Sequence, residues 1–131
     1  QNSIYKSLSL DYSIERSDEK YISILFTGEA KTILFNDTVK IMDSVTMELD
    51  SSQVLTVENY IKDKEKLFDI LKNSTLKPLE YESLKFYFED ENIVFYYMPS
   101  DDSNREYNAI ELNLSELENI IHEYIGEKPA S

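Results

Sequence analysis

Apolar and polar positions alternate through both halves of the chain, and the alternation sets out the elements. Leu84, Phe86 and Phe88 alternate with Lys85, Tyr87 and Glu89, the period-two pattern of a half-buried strand. A polar Asp90-Glu91-Asn92 break follows, and then a second aromatic-rich run, so residues 84–89 and 93–98 predict a β-hairpin. Ile110, Leu112 and Leu114 alternate with Glu111 and Asn113, predicting a strand over residues 107–114. Ser115 with Glu118 three residues later has the spacing of a capping box. Leu117, Ile120, Ile121 and Tyr124 then share one helical face, and Gly126 stands at a C-cap position, which predicts a helix over residues 115–125.

The first half reads in the same way. Ile4, Leu8, Leu10, Tyr12 and Ile14 mark a strand over residues 4–14, and Ser17-Asp18-Glu19 a turn. Residues 21–27 form the next strand, with Ile22, Ile24 and Phe26 expected toward the core and Gly28 ending it. Residues 29–37 show no clean period. Val39, Ile41, Val45, Met47 and Leu49 mark a third strand over residues 39–49, with Asp43 the one polar member of its inward row. Tyr60, Ile61, Leu67, Phe68 and Leu71 follow three-four spacing, and the main helix is expected over residues 63–73. Strands, helix, strands, helix, with short polar turns, predicts an α+β domain: a mainly antiparallel β-sheet with two helices packed on it, one domain over residues 1–131.

Composition narrows the classes. A 41% hydrophobic content and ten tyrosines in 131 residues suit one folded domain with a real core. The net charge of −13 argues against nucleic acid, whose binding needs Lys and Arg against the phosphates, and against anionic lipid. Cationic proteins and neutral glycans stay open as partners. The chain has no cysteine, which excludes disulfides, thiolate metal sites and cysteine nucleophiles. No run approaches the roughly 18 apolar residues of a membrane helix. A first residue of Gln rather than Met reads either as a mature or trimmed fragment, with a targeting segment upstream, or as an arbitrary boundary.

In order along residues 12–125, the chain resembles the extracytoplasmic domain of RsiV-type anti-sigma factors and of certain peptidoglycan deacetylases, the domain of unknown function 3298 family. The residues that carry the resemblance are Tyr21-Ile22-Ser23-Ile24-Leu25-Phe26-Thr27-Gly28, then Val45-Thr46-Met47-Glu48-Leu49-Asp50 followed by Val54 to Ile61. Asn92-Ile93-Val94-Phe95-Tyr96-Tyr97 and Ile110 to Leu117 complete it. Two departures stand out. Glu29-Ala30-Lys31-Thr32 replaces an Ala-His-Pro-like stretch common in the family, and the turn after Asp50 lacks its usual glycine. The resemblance implies an exported domain, either secreted or lipid-anchored upstream, extracellular or at the surface of a Gram-positive cell, that senses or binds. Some relatives are linked to wall-attacking lysozymes.

Candidate chemistry is sparse. His122 is the only histidine, so neither a catalytic triad nor a zinc site can be assembled around it. Asp101 and Asp102, with Ser103 and Asn104, offer oxygen ligands, but their spacing is not that of an EF-hand, and solvated turns explain them as well. Tyr87 and Tyr96 occupy the row opposite Phe86, Phe88, Phe95 and Tyr97; exposed, they would stack on a sugar or anchor an interface, and otherwise they pair across strands. The candidate ligand-binding residues are therefore Tyr87, Tyr96, Asp101 and Asp102, with no catalytic residue, metal or cofactor. The expected function is a non-enzymatic binding or sensor domain of the Gram-positive envelope, whose ligand is a cationic wall-associated protein or a cell-wall glycan. The alternatives are a carboxylate-based hydrolase or deacetylase accessory enzyme, and a self-associating structural domain.

Overall fold

The computed structural model describes residues 5–33, 38–99 and 106–126. Strands β1 (Tyr5–Ser17), β2 (Tyr21–Thr32) and β3 (Thr38–Glu48) run antiparallel, and the short β4 (Gln53–Val54) adds to β3. The Asp18 carboxylate builds the β1–β2 turn by accepting from the N–H groups of Lys20 and Tyr21, both at 2.9 Å. Burial opposes its ionisation, but these bonds and Arg16 prevail and hold it at about 2. Strand β2 does not stop at Gly28. A Cβ there would lie 2.1 Å from the Ser9 carbonyl oxygen, so glycine marks a close approach of β1 inside the strand and not its end.

A second antiparallel sheet holds β5 (Lys85–Glu89), β6 (Asn92–Tyr97) and β7 (Asn108–Asn113), in that order. Two helices lie between the sheets in sequence. Thr56 and Asn59 close a capping box on α1 (Val57–Tyr60), and Asp63 caps α2 (Lys64–Lys72) through the N–H of Lys66. The fold is therefore mostly antiparallel β, in two sheets where the sequence predicted one.

The predicted helix over residues 115–125 is not there. A 3-10 turn, Leu114–Leu117, is capped by Asn113, not Ser115, and the chain then leaves helical geometry. Its hydrogen bonds go elsewhere. The Ile120 carbonyl accepts from Lys62 N–H at 2.6 Å, His122 N–H donates to the Tyr60 carbonyl at 2.8 Å, and Ile121 bridges Ile61. Gly126 is no helix cap either: a Cβ on it would meet Ser51 Cβ at 2.2 Å.

Burial inverts the expectation for β1–β3. The rows do alternate as predicted, but the apolar row of Leu8, Leu10, Tyr12 and Ile14 is 55–71% exposed, with Val45 also exposed and Ile22, Ile24, Phe26, Ile41 and Met47 only half-buried. The inward row is Tyr21, Ser23, Leu25, Ser44, Thr46 and Glu48. Burial of its hydroxyls is compensated by hydrogen bonds: Ser23 Oγ lies 2.6 Å from Thr46 Oγ1 and accepts from Phe88 N–H at 2.9 Å. Ser44 Oγ donates to the Phe86 carbonyl at 3.0 Å and lies 2.6 Å from the Tyr96 hydroxyl. These bonds satisfy the β5 edge, which β6 leaves unpaired on that side.

The main core gathers Phe86, Phe88, Ile93, Phe95, Ile110 and Leu112 from one face of β5–β7 with Tyr60, Ile61, Leu67, Leu71 and Leu117. A smaller cluster, Tyr87, Val94 and Tyr96 with Leu25, Met42 and Tyr107, fills the space toward β2 and β3.

Candidate functional site

Tyr87 and Tyr96 share a row, as expected, with ring centroids 5.9 Å apart. They are only 7% and 1% exposed, because β2 and β3 cover that face. Neither ring presents a face to a sugar. Burial raises the ionisation of both hydroxyls above the ordinary tyrosine value. The pair is a structural one. Asp101 and Asp102 lie outside the described residues. His122 is exposed at the rim of a cleft of about 570 Å³ that Arg16, Lys20, Tyr21 and Asn113 also line. The cations of that cleft are already engaged. Arg16 binds Asp18 at 2.7 Å and lies 5.0 Å over the Tyr21 ring, while Lys20 Nζ sits 4.4 Å from the Tyr124 centroid.

The concentration of charge that the fold does create is acidic. Glu89 at the end of β5 and Glu111 on β7 flank β6 on the same face, as the register of Glu89 with Asn92 and of Glu111 with Val94 requires. The end of β1 brings Glu15 beside them, where the Asp90 N–H meets the Glu15 carbonyl at 3.4 Å. A hydrogen bond with Glu111 pushes the Glu89 carboxyl above its ordinary value, and burial and the negative charges of Glu111, Glu15 and Asp90 add to the shift. Carboxylates crowded enough to raise the proton affinity of one of them favour any cation placed among them.

Among the described residues, no group of three or more His, Cys, Asp or Glu side chains has the arrangement of a metal site. The sequence placed Asp90 and Glu91 in a polar turn but gave no sign of Glu15, Glu89 and Glu111 as a group, since they are far apart along the chain. The signal for Glu89 and Glu111 lay in the strand register, which puts them two strands apart on one face. Glu15 carried no such signal.

One further acidic group is structural. The buried Glu48 carboxylate accepts from Ser51 Oγ at 2.6 Å and from the N–H groups of Ile125 and Gly126 at 3.1 Å each. Burial works to raise its pKa, but these bonds and Lys20 outweigh it and hold the group below 4.5.

The chain matches no model of a known protein family, and no curated protein matches it. Among the described residues no helix is long and apolar enough to cross a membrane.

Proposed function

We propose that this chain is a non-enzymatic binding or sensor domain displayed outside a Gram-positive cell, and that its partner is a cationic wall-associated protein. The observation that carries this reading is the acidic group of Glu15, Glu89, Asp90 and Glu111 on a chain of net charge −13. A lysine or arginine seated there relieves the repulsion among these carboxylates, and the long-range field speeds the encounter. The resemblance to the exported domain of RsiV-type anti-sigma factors supports the location and the class of partner. A glycan reading is weaker because the two tyrosines it relied on are buried. The same reading takes α2 as a cover over the three-stranded sheet, with Leu67 and Leu71 as its contacts.

Titration against a lysozyme and against muropeptides, each at low and physiological salt, tests it. Lysozyme should bind, and its association rate should fall as the Debye length shortens from about 30 Å at 0.01 M to 8 Å at 0.15 M. Glu89→Gln combined with Glu111→Gln should weaken that binding while leaving the fold intact. Absence of lysozyme binding at either salt, or muropeptide binding indifferent to salt, overturns the proposal.

A further inference from the structure

We propose that the outer face of β1, β2 and β3 is an interface between two copies of this chain, packed sheet on sheet. The observation is the contrast between the two faces at the end of this sheet that the second sheet does not cover. On the inward side there, the side chains are Ser9, Asp11, Ser13, Thr27, Glu29 and Lys40, as suits contact with water, with the half-buried Met42, in the small cluster with Tyr107, the apolar exception. On the outer side they are Leu8, Leu10, Tyr12 and Ile14, backed by Ile24, Phe26 and Ile41. A sheet evolved for water on both faces has no need of this asymmetry. Contiguous apolar patches of several hundred Å² mark surfaces that are covered.

Size and charge both favour a second copy. Strands of 13, 12 and 11 residues give a face about 36 Å long and 14 Å wide. Its footprint of about 500 Å², before side-chain relief is counted, approaches the ~800 Å² per partner of a stable interface. From Leu8 onward the outer row carries one charged residue, Asp43, and the Lys85 ammonium holds that carboxylate at 2.8 Å. A basic partner therefore finds almost nothing to pair with here, whereas an identical neutral face fits it without burying an unpaired charge. Aligned sheets about 10 Å apart interdigitate such rows, and a two-fold axis lets each β1 lie over its partner's sheet. The acidic residues of both copies stay outside the contact, so salt screens their repulsion and strengthens the pair. Binding of a cationic ligand has the opposite salt dependence.

Sedimentation equilibrium over a range of concentrations decides the matter. The chain should sediment at twice 15.4 kDa, more completely at 0.15 M than at 0.01 M salt. Tyr12→Glu, at a side chain 71% exposed, should return the mass to 15.4 kDa with an unchanged circular dichroism spectrum. Lys66→Glu on the exposed side of α2 should leave the dimer intact. Should Tyr12→Glu unfold, Tyr12→Cys gives a second readout, since the chain has no other cysteine. Mild oxidation should link two copies through it and should not link Lys66→Cys. A single 15.4 kDa species at all concentrations overturns the proposal and leaves the face to another protein or another part of a longer polypeptide. A dimer that survives Tyr12→Glu with no link through Tyr12→Cys overturns it equally, by placing the contact elsewhere.

Discussion

Glu48 and Glu89 show how two carboxyls of one chain take opposite signs in stability. Glu48 is buried with three donors on its oxygens and a lowered pKa, so the unfolded chain binds its proton more readily than the folded one. Its contribution is complete above the ordinary value of 4.5 and is lost as pH falls through the lower folded value. Glu89 has a raised pKa, so between 4.5 and that raised value the folded chain holds the extra proton, and stability falls as pH rises through the window. Glu48→Gln should therefore cost about 1.5–3 kcal/mol at pH 7, less in acid, as charge-assisted bonds are removed. Glu89→Gln should raise the urea midpoint at pH 7, with the gain shrinking toward pH 4.5. Parallel pH profiles for wild type and both variants would contradict the assignment. Ser52 offers a third test. Its φ of 57° is left-handed, a region glycine enters without steric cost, so Ser52→Gly should gain up to about 1 kcal/mol in urea unfolding.

Among the elements, the segment after β7 shows local propensity overruled. Ser115, Glu118 and the apolar spacing all favour a helix, yet Ile120, Ile121 and His122 exchange helical bonds for contacts with Tyr60, Ile61 and Lys62. The buried residues are Leu117 and Ile120, while Ile121, which a helix would have centred, is only half-buried. Leu117→Ala should cost about 2–5 kcal/mol and Ile121→Ala clearly less. The cap moves with the element. Asn113 Oδ1 accepts from Ser115 N–H at 3.0 Å, and Glu116 Oε2 accepts from Asn113 N–H at 2.9 Å. Asn113→Ala should thus cost about 1 kcal/mol, more than Ser115→Ala. Equal losses would restore the helical reading. By contrast, α2 was legible almost to the residue, because Asp63 and its own periodicity determine it locally.

For the whole molecule, 26 acidic against 13 basic residues repel in the compact state. The urea midpoint should rise between 0.01 and 0.15 M NaCl, and a flat response would mean that local ion pairs already balance the charge. What the sequence by itself determined is whatever depends on neighbours in the chain: six of the seven strands or parts of them, the β5–β6 hairpin, α2, and which side chains share a row. Period two follows from the backbone of a single strand. It says which residues lie together and not which side is covered, because that depends on a partner surface contributed by distant segments. Only the tertiary structure decided that Ser23, Ser44 and Thr46 face inward to satisfy the β5 edge, leaving Leu10 and Tyr12 outside. It also decided that Tyr87 and Tyr96 lie under β2 and β3, that Glu15 joins Glu89 and Glu111, and that the last helix is replaced by a bridge to Ile61. Each of these rests on hydrogen bonds or charges between residues far apart in sequence, a quantity that no local pattern carries.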